Sequence, residues 1–294
     1  MLEVLARQES LLQEPDRFGD APHPREMLSM IGHADAEAEM LTAIRSGRMH
    51  HAWLITGEEG IGKATFAYRL ARFLLTSPEP AAATGRSGLA VLASSAAAHQ
   101  IAASAHPDLA VIRRGWSEDR KRVLTEISIK AALDGLELFQ KTAAYGGFRI
   151  CIVDACDELN ANSANALLKT LEEPPERSLF LLVAHQPGRL LPTIRSRCRH
   201  LPLRPLGVDE VVTVTRGLPH VAEIDIAVHR RAAELSGGSV RRALSMLDPR
   251  KLAFNDRVEA VLNGLPRLDM ADVDAIAELT MGRAGDESFE RFCD

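Results

Sequence analysis

Read as apolar and polar positions, the chain changes rhythm twice. Up to about residue 25 it is polar and interrupted by Pro15, Pro22 and Pro24, which predicts a flexible leader over 1–25. From Met27, apolar residues recur at helical spacing (Met30, Ala34, Ala38, Leu41, Ile44) as far as Gly47. The run His51-Ala-Trp-Leu-Ile-Thr56, halted by Gly57, reads as a buried strand. Phe66, Leu70 and Leu74 then share one face of a helix over 63–75. Residues 76–107 are rich in Ala, Ser, Pro and Gly and predict a loose insert with one helix near 89–98. Strands follow over 108–112, 148–154 and 179–184, separated by helices over 130–144 and 163–171. Ser163 is a candidate N-cap of the second helix, which Pro174-Pro175 closes. Short apolar strands alternating with helices mean an α/β fold, a doubly wound parallel sheet covered on both faces.

After about Leu203 the strand signals cease. Residues 207–217, 225–235 and 239–247 read as three short helices, with Gly237-Gly238-Ser239 as turn and N-cap. Asp248-Pro249 is a candidate boundary, beyond which 256–263 and 271–280 are helical again. The expected organisation is a leader over 1–25, an α/β domain over 26–204, a small helical domain over 205–248 and a partial all-α domain over 249–294.

Composition narrows the class. With 46% hydrophobic and 26% charged residues the chain is globular rather than disordered or fibrous. No apolar run approaches the roughly 18 residues of a membrane helix, and no charged-then-apolar leader opens the chain. A soluble, cytoplasmic protein is expected. A net charge of −5 argues against coating nucleic acid by bulk charge. The basic run Arg113, Arg114, Arg120, Lys121, Arg122 reads as a solvated loop, with contact to DNA phosphates as the alternative. The four cysteines match no zinc spacing, and His99 and His106 read as loop histidines, so no metal site is expected.

Gly57-Glu-Glu-Gly-Ile-Gly-Lys63 matches the core of a phosphate-binding loop. Its glycines let backbone N–H groups approach phosphate oxygens, and its lysine reaches the terminal phosphates. Gly57, Gly60, Gly62 and Lys63 are therefore candidate nucleotide contacts. Asp154, at the end of an apolar strand, is the candidate metal-side carboxylate. Two parts are missing. The hydroxyl that coordinates Mg²⁺ belongs at position 64, which is Ala64, and one step along a helix turns Thr65 away by about 100°. The glutamate that polarises water belongs after Asp154, where Ala155 stands; Asp157 and Glu158 fall on the next turn. ATP binding is expected to be weak or absent and hydrolysis poor.

Ile31-Gly-His33, His51-Ala-Trp53, the phosphate loop, Asn165-Ala-Leu-Leu-Lys-Thr-Leu-Glu-Glu-Pro-Pro175 and Ser196-Arg-Cys198 occur in that order. In these motifs the chain resembles the AAA+ clamp-loader subunits of bacterial DNA polymerase III over about residues 27–247. The resemblance implies that the helical domain is a lid and the last segment the start of a collar. It implies that Arg197 is a finger reaching into the ATP site of a neighbouring subunit, a task suited to a permanently charged, forked guanidinium. Arg241, in Gly238-Ser-Val-Arg241, sits where the family has a second sensor arginine; a plain surface arginine is the alternative. The implied partners are an ATPase motor subunit and a delta-type subunit in a hetero-oligomeric ring, the sliding clamp and primed DNA. The zinc module of related subunits could not bind zinc through thiolates here, since Cys151 is the first cysteine. The expected role is a non-hydrolysing subunit of the loader. Its rivals are an active motor subunit, which needs the hydroxyl and glutamate missing here, and a small-molecule P-loop kinase, which needs an arginine-rich lid where 76–107 has Arg86 alone.

Overall fold

The computed structural model describes residue 14 and residues 16–76, 84–117, 119 and 122–264. Five parallel strands form the main sheet: β1 (Ala52–Thr56), β2 (Leu109–Arg113), β5 (Arg149–Asp154), β6 (Ser178–Ala184) and β7 (Arg199–Pro202), in the order β2-β5-β6-β1-β7. A small antiparallel pair, β3 (Trp116–Ser117) with β4 (Arg122–Val123), follows β2 in the chain. The strands are apolar on both sides because both sides are covered. Trp53, Ile55, Ile152, Leu181 and Val183 face one core with residues of α1 (Ala34–Arg45) and α2 (Lys63–Thr76). Leu54, Val153, Phe180 and Leu182 face the other with α4 (Ile129–Leu136) and α5 (Ala161–Glu172). Helix α3 (Ala96–Ala102) lies within the insert, its start fixed by Ser95, whose hydroxyl accepts from Ala98 N.

Several expected elements shift, each for a local reason. The first helix starts at Ala34 rather than near Met27, because Gly32 and His33 both have left-handed φ (77° and 58°). The carbonyls of Arg25, Met27 and Leu28 are instead taken by two arginines of α2, Arg72 and Arg69. The leader is ordered where it is described. Asp16 pairs with His23 at 2.9 Å and with Arg113, and His23 is fully buried. Its polarity comes from matched charges against the domain, and residues 1–13 and 15 lie outside the described ones. The helix predicted near 89–98 is α3, and the one predicted over 130–144 ends at Leu136 before a single 3₁₀ turn, Glu137–Gln140. Asn160, not Ser163, caps α5; Ser163 is buried one turn on and donates to Ile127 O at 2.9 Å.

The described chain divides into two compact units after Leu206. Between β6 and β7 lies the short helix α6 (Pro192–Arg195). The second unit holds α7 (Val208–Arg216), α8 (Ile226–Leu235), α9 (Val240–Met246) and α10 (Pro249–Gly264). Its interior contains a satisfied polar pair: buried His229 bonds Thr215 Oγ1 at 2.9 Å and Val221 O at 3.1 Å. The boundary expected at 248–249 coincides with the start of α10, which belongs to the same unit as the helices before it. The helix expected over 271–280 lies outside the described residues.

Candidate functional site

The phosphate loop leaves the carboxyl end of β1, where open α/β sheets bind ligands. Gly57, Gly60 and Gly62 have φ of 144°, 80° and 102°, conformations that side-chain-bearing residues rarely adopt. A Cβ on Gly57 would stand 2.6 Å from both Leu203 O and Ile61 Cδ1. The far side of the loop is fixed by His33, whose Nε2 lies 2.8 Å from Ile61 O and donates to it.

Lys63 opens α2 and is buried. Its ammonium donates to Gly57 O at 2.7 Å and to Glu58 O. Burial pulls its pKa down to about 8, against the opposing field of Asp154, Asp157, Glu59 and Glu58. Asp154 ends β5, and burial pushes its carboxyl up to about 7. Asp16 and Glu158 add to that shift, while Lys63 and Arg113 oppose it. Arg113 is the in-register neighbour of Asp154 on β2, a position the sequence offered only as part of a basic run.

The two substitutions are where the sequence places them. Ala64 follows Lys63 in the first turn of α2, and Ala155 is buried directly after Asp154. The nearby carboxylates are engaged elsewhere. Asp157 accepts from His185 N at 3.2 Å and Gln186 N at 2.8 Å, and Glu158 pairs with Arg114 at 2.9 Å. Arg113 and Arg114 are thus tied into ion pairs within the chain, contrary to a solvated run.

Arg197 lies at the other end of the sheet. Strand β7 runs parallel to β1 with Trp53 opposite Arg199 and Thr56 opposite Pro202. The loop departs after Thr56, whereas Arg197 precedes the start of β7, beyond a strand length of roughly 10 Å at 3.3 Å per residue. Arg241 is exposed on the first turn of α9, in the second unit. Among the described residues no group of three or more His, Cys, Asp or Glu is disposed to hold a metal. His106 is buried and its Nδ1 accepts Asp108 N at 3.1 Å, and Cys151, Cys156 and Cys198 are buried free thiols. No helix among the described residues is long and apolar enough to cross a membrane.

A five-stranded parallel sheet with a phosphate loop at the carboxyl end of β1, joined to a small helical unit, defines a P-loop module of the AAA+ class. The chain belongs to the DNA polymerase III delta-subunit family, whose model matches residues 32–207. It is similar to the DNA polymerase III subunit delta' of Pseudomonas aeruginosa, 39% identical over 149 residues, covering 50% of this chain and 41% of that one. The DNA polymerase III subunit tau of Escherichia coli is 30% identical over 232 residues, covering 76% of this chain and 33% of that one. This chain therefore spans less than half the length of both relatives. Among solved structures, the Thermotoga maritima RuvB Holliday junction branch migration motor aligns with a TM-score of 0.46 at 18% identity, covering 90% of this chain and 76% of that one.

Proposed function

We propose that this chain is a clamp-loader subunit of DNA polymerase III that turns over little or no ATP and serves the nucleotide site of a neighbour. The observation that carries the reading is the separation of its chemistry along one sheet. At the carboxyl end stands a phosphate loop with Ala64 and Ala155 in place of the metal hydroxyl and the water-polarising carboxylate. At the amino end stands Arg197, a strand length from that loop, which supports its serving a site outside its own. Any ATP held by Gly57, Gly60, Gly62 and Lys63 lacks the group that seats Mg²⁺ beside Asp154. Arg241 on the lid is the proposed second nucleotide contact.

The names carried by the relatives, delta' and tau, support a place beside a gamma/tau-type ATPase and a delta-type subunit. In that assembly the chain acts in the cytoplasm on a sliding clamp and primed DNA. The test is ATP binding and turnover by the isolated chain with Lys63→Ala as control, followed by Arg197→Ala in the reconstituted complex. The reading expects no turnover alone and a fall of roughly 10³-fold or more at the neighbour's site without Arg197. Turnover by the isolated chain that vanishes in Lys63→Ala makes it a motor subunit instead.

A further inference from the structure

We infer that Glu172 is a positioning residue for Arg197, fixing the attitude in which the guanidinium is presented; the inference rests on reading Arg197 as a finger for a neighbour's site. Arg197 NH2 donates to Glu172 Oε1 at 2.9 Å, and its NH1 donates to Thr193 O at 2.9 Å. The two acceptors come from different elements, α5 and α6, so together they set the plane of the fork. A guanidinium has five N–H groups, and three are left for an anion. The backbone on either side is anchored as well. Ile194 is fully buried and Cys198 is 8% exposed, both in the core beneath α5. Burial pushes the Cys198 thiol up to about 12, so it is a neutral packing group. The next arginine is committed elsewhere: Arg199 lies over the Trp53 ring at 4.9 Å and pairs with Glu39.

The placement of Glu172 favours this role over a structural one. It is the last residue of α5, where unpaired carbonyls make a carboxylate unfavourable, and Pro174-Pro175 prevent the helix from running on. Its charge therefore works against the helix that carries it and toward Arg197. Both side chains are partly exposed, 36% for Arg197 and 44% for Glu172, and a pair in that setting adds little to stability. What it supplies is restriction. A long side chain held before a phosphate arrives surrenders less rotational freedom when charge develops there.

The test uses the chain reconstituted with its gamma/tau-type ATPase, reading kcat and KM for ATP and the thermal melt of the isolated chain. Glu172→Ala is expected to lower kcat about 3- to 10-fold, with KM and the melt unchanged, because the lost contact acts only as charge develops. Glu172→Gln keeps an acceptor oxygen and is expected to recover most of the loss. In an Arg197→Ala background, Glu172→Ala is expected to have no further effect. If Arg197→Ala lowers kcat but Glu172→Ala does not, or raises it, the inference fails and the finger reading stands. If Arg197→Ala itself changes nothing, the finger reading fails and the inference falls with it.

Discussion

Arg113 and Asp154 are in-register partners at the carboxyl ends of β2 and β5, and Asp16 pairs with the arginine. A cation beside a carboxylate ordinarily lowers its pKa. Here burial, with the fields of Asp16 and Glu158, outweighs Arg113 and Lys63, and Asp154 is pushed up to about 7.

That shift makes Asp154 a source of pH dependence. Its native pKa lies above the unfolded value near 4, so between about pH 4 and 7 the native state binds the extra proton and stability falls as pH rises. Asp154→Asn removes that loss. Urea unfolding is expected to show the variant about 1–2 kcal/mol more stable at pH 8, with the gap closing toward pH 4. The gain is trimmed because Lys63 loses an attraction that supports its charge.

Asp16 behaves in the opposite sense. Burial is outweighed by His23 and Arg113, which hold its carboxyl well below the usual range. Its contribution is present above about pH 4 and lost as pH falls further. Asp16→Asn is expected to cost about 2 kcal/mol at pH 7, because it leaves Arg113 and buried His23 without their carboxylate. Thermal melts at pH 7 and pH 3 should show the difference shrinking in acid.

Asp157 is placed as a structural carboxylate. Asp157→Ala deprives His185 N and Gln186 N of their acceptor and is expected to cost about 1–3 kcal/mol in urea unfolding. It should leave any residual ATP turnover of the isolated chain unchanged. A loss of turnover without a loss of stability would make Asp157 the water-polarising group.

Gly57→Ala tests the turn itself. It demands a left-handed φ of an alanine and drives its Cβ against the Leu203 carbonyl, for an expected cost of about 2–4 kcal/mol. Gly188→Ala is the control: a Cβ there meets nothing within 4 Å, and its melt should stay within about 0.5 kcal/mol of the parent.

The buried strands were legible because each is a continuous apolar run bounded by Gly, Pro or charge, and the phosphate loop because its parts are contiguous in sequence. Strand β7 was not. Arg199-His-Leu-Pro202 turns only Leu201 into the core, so its pairing with β1 leaves no periodic trace. Nor could the sequence place the segment before α1. Its carbonyls are held by Arg69 and Arg72, more than 40 residues on, and its charges by Arg113, about 97 residues from Asp16. The position of Asp154 was legible because it ends an obvious strand. The partnership of Glu172 with Arg197 was missed because the two are brought together by the turn of the chain through β6 and α6. The signal available was an acidic residue closing a helix before two prolines, a placement that local preference does not favour.

The loop at one end of the main sheet and Arg197 at the other give the first unit a front and a back. On the proposed reading, a neighbour seated on the arginine leaves the loop's face uncovered, so the contact is never used up by being made. Joining of that head-to-tail kind has no built-in stopping point; it ends when the rotation from one chain to the next adds up to a full turn, and otherwise runs on as a filament. On the proposed reading, then, the direction of a single parallel strand sets the polarity of whatever is built from this chain.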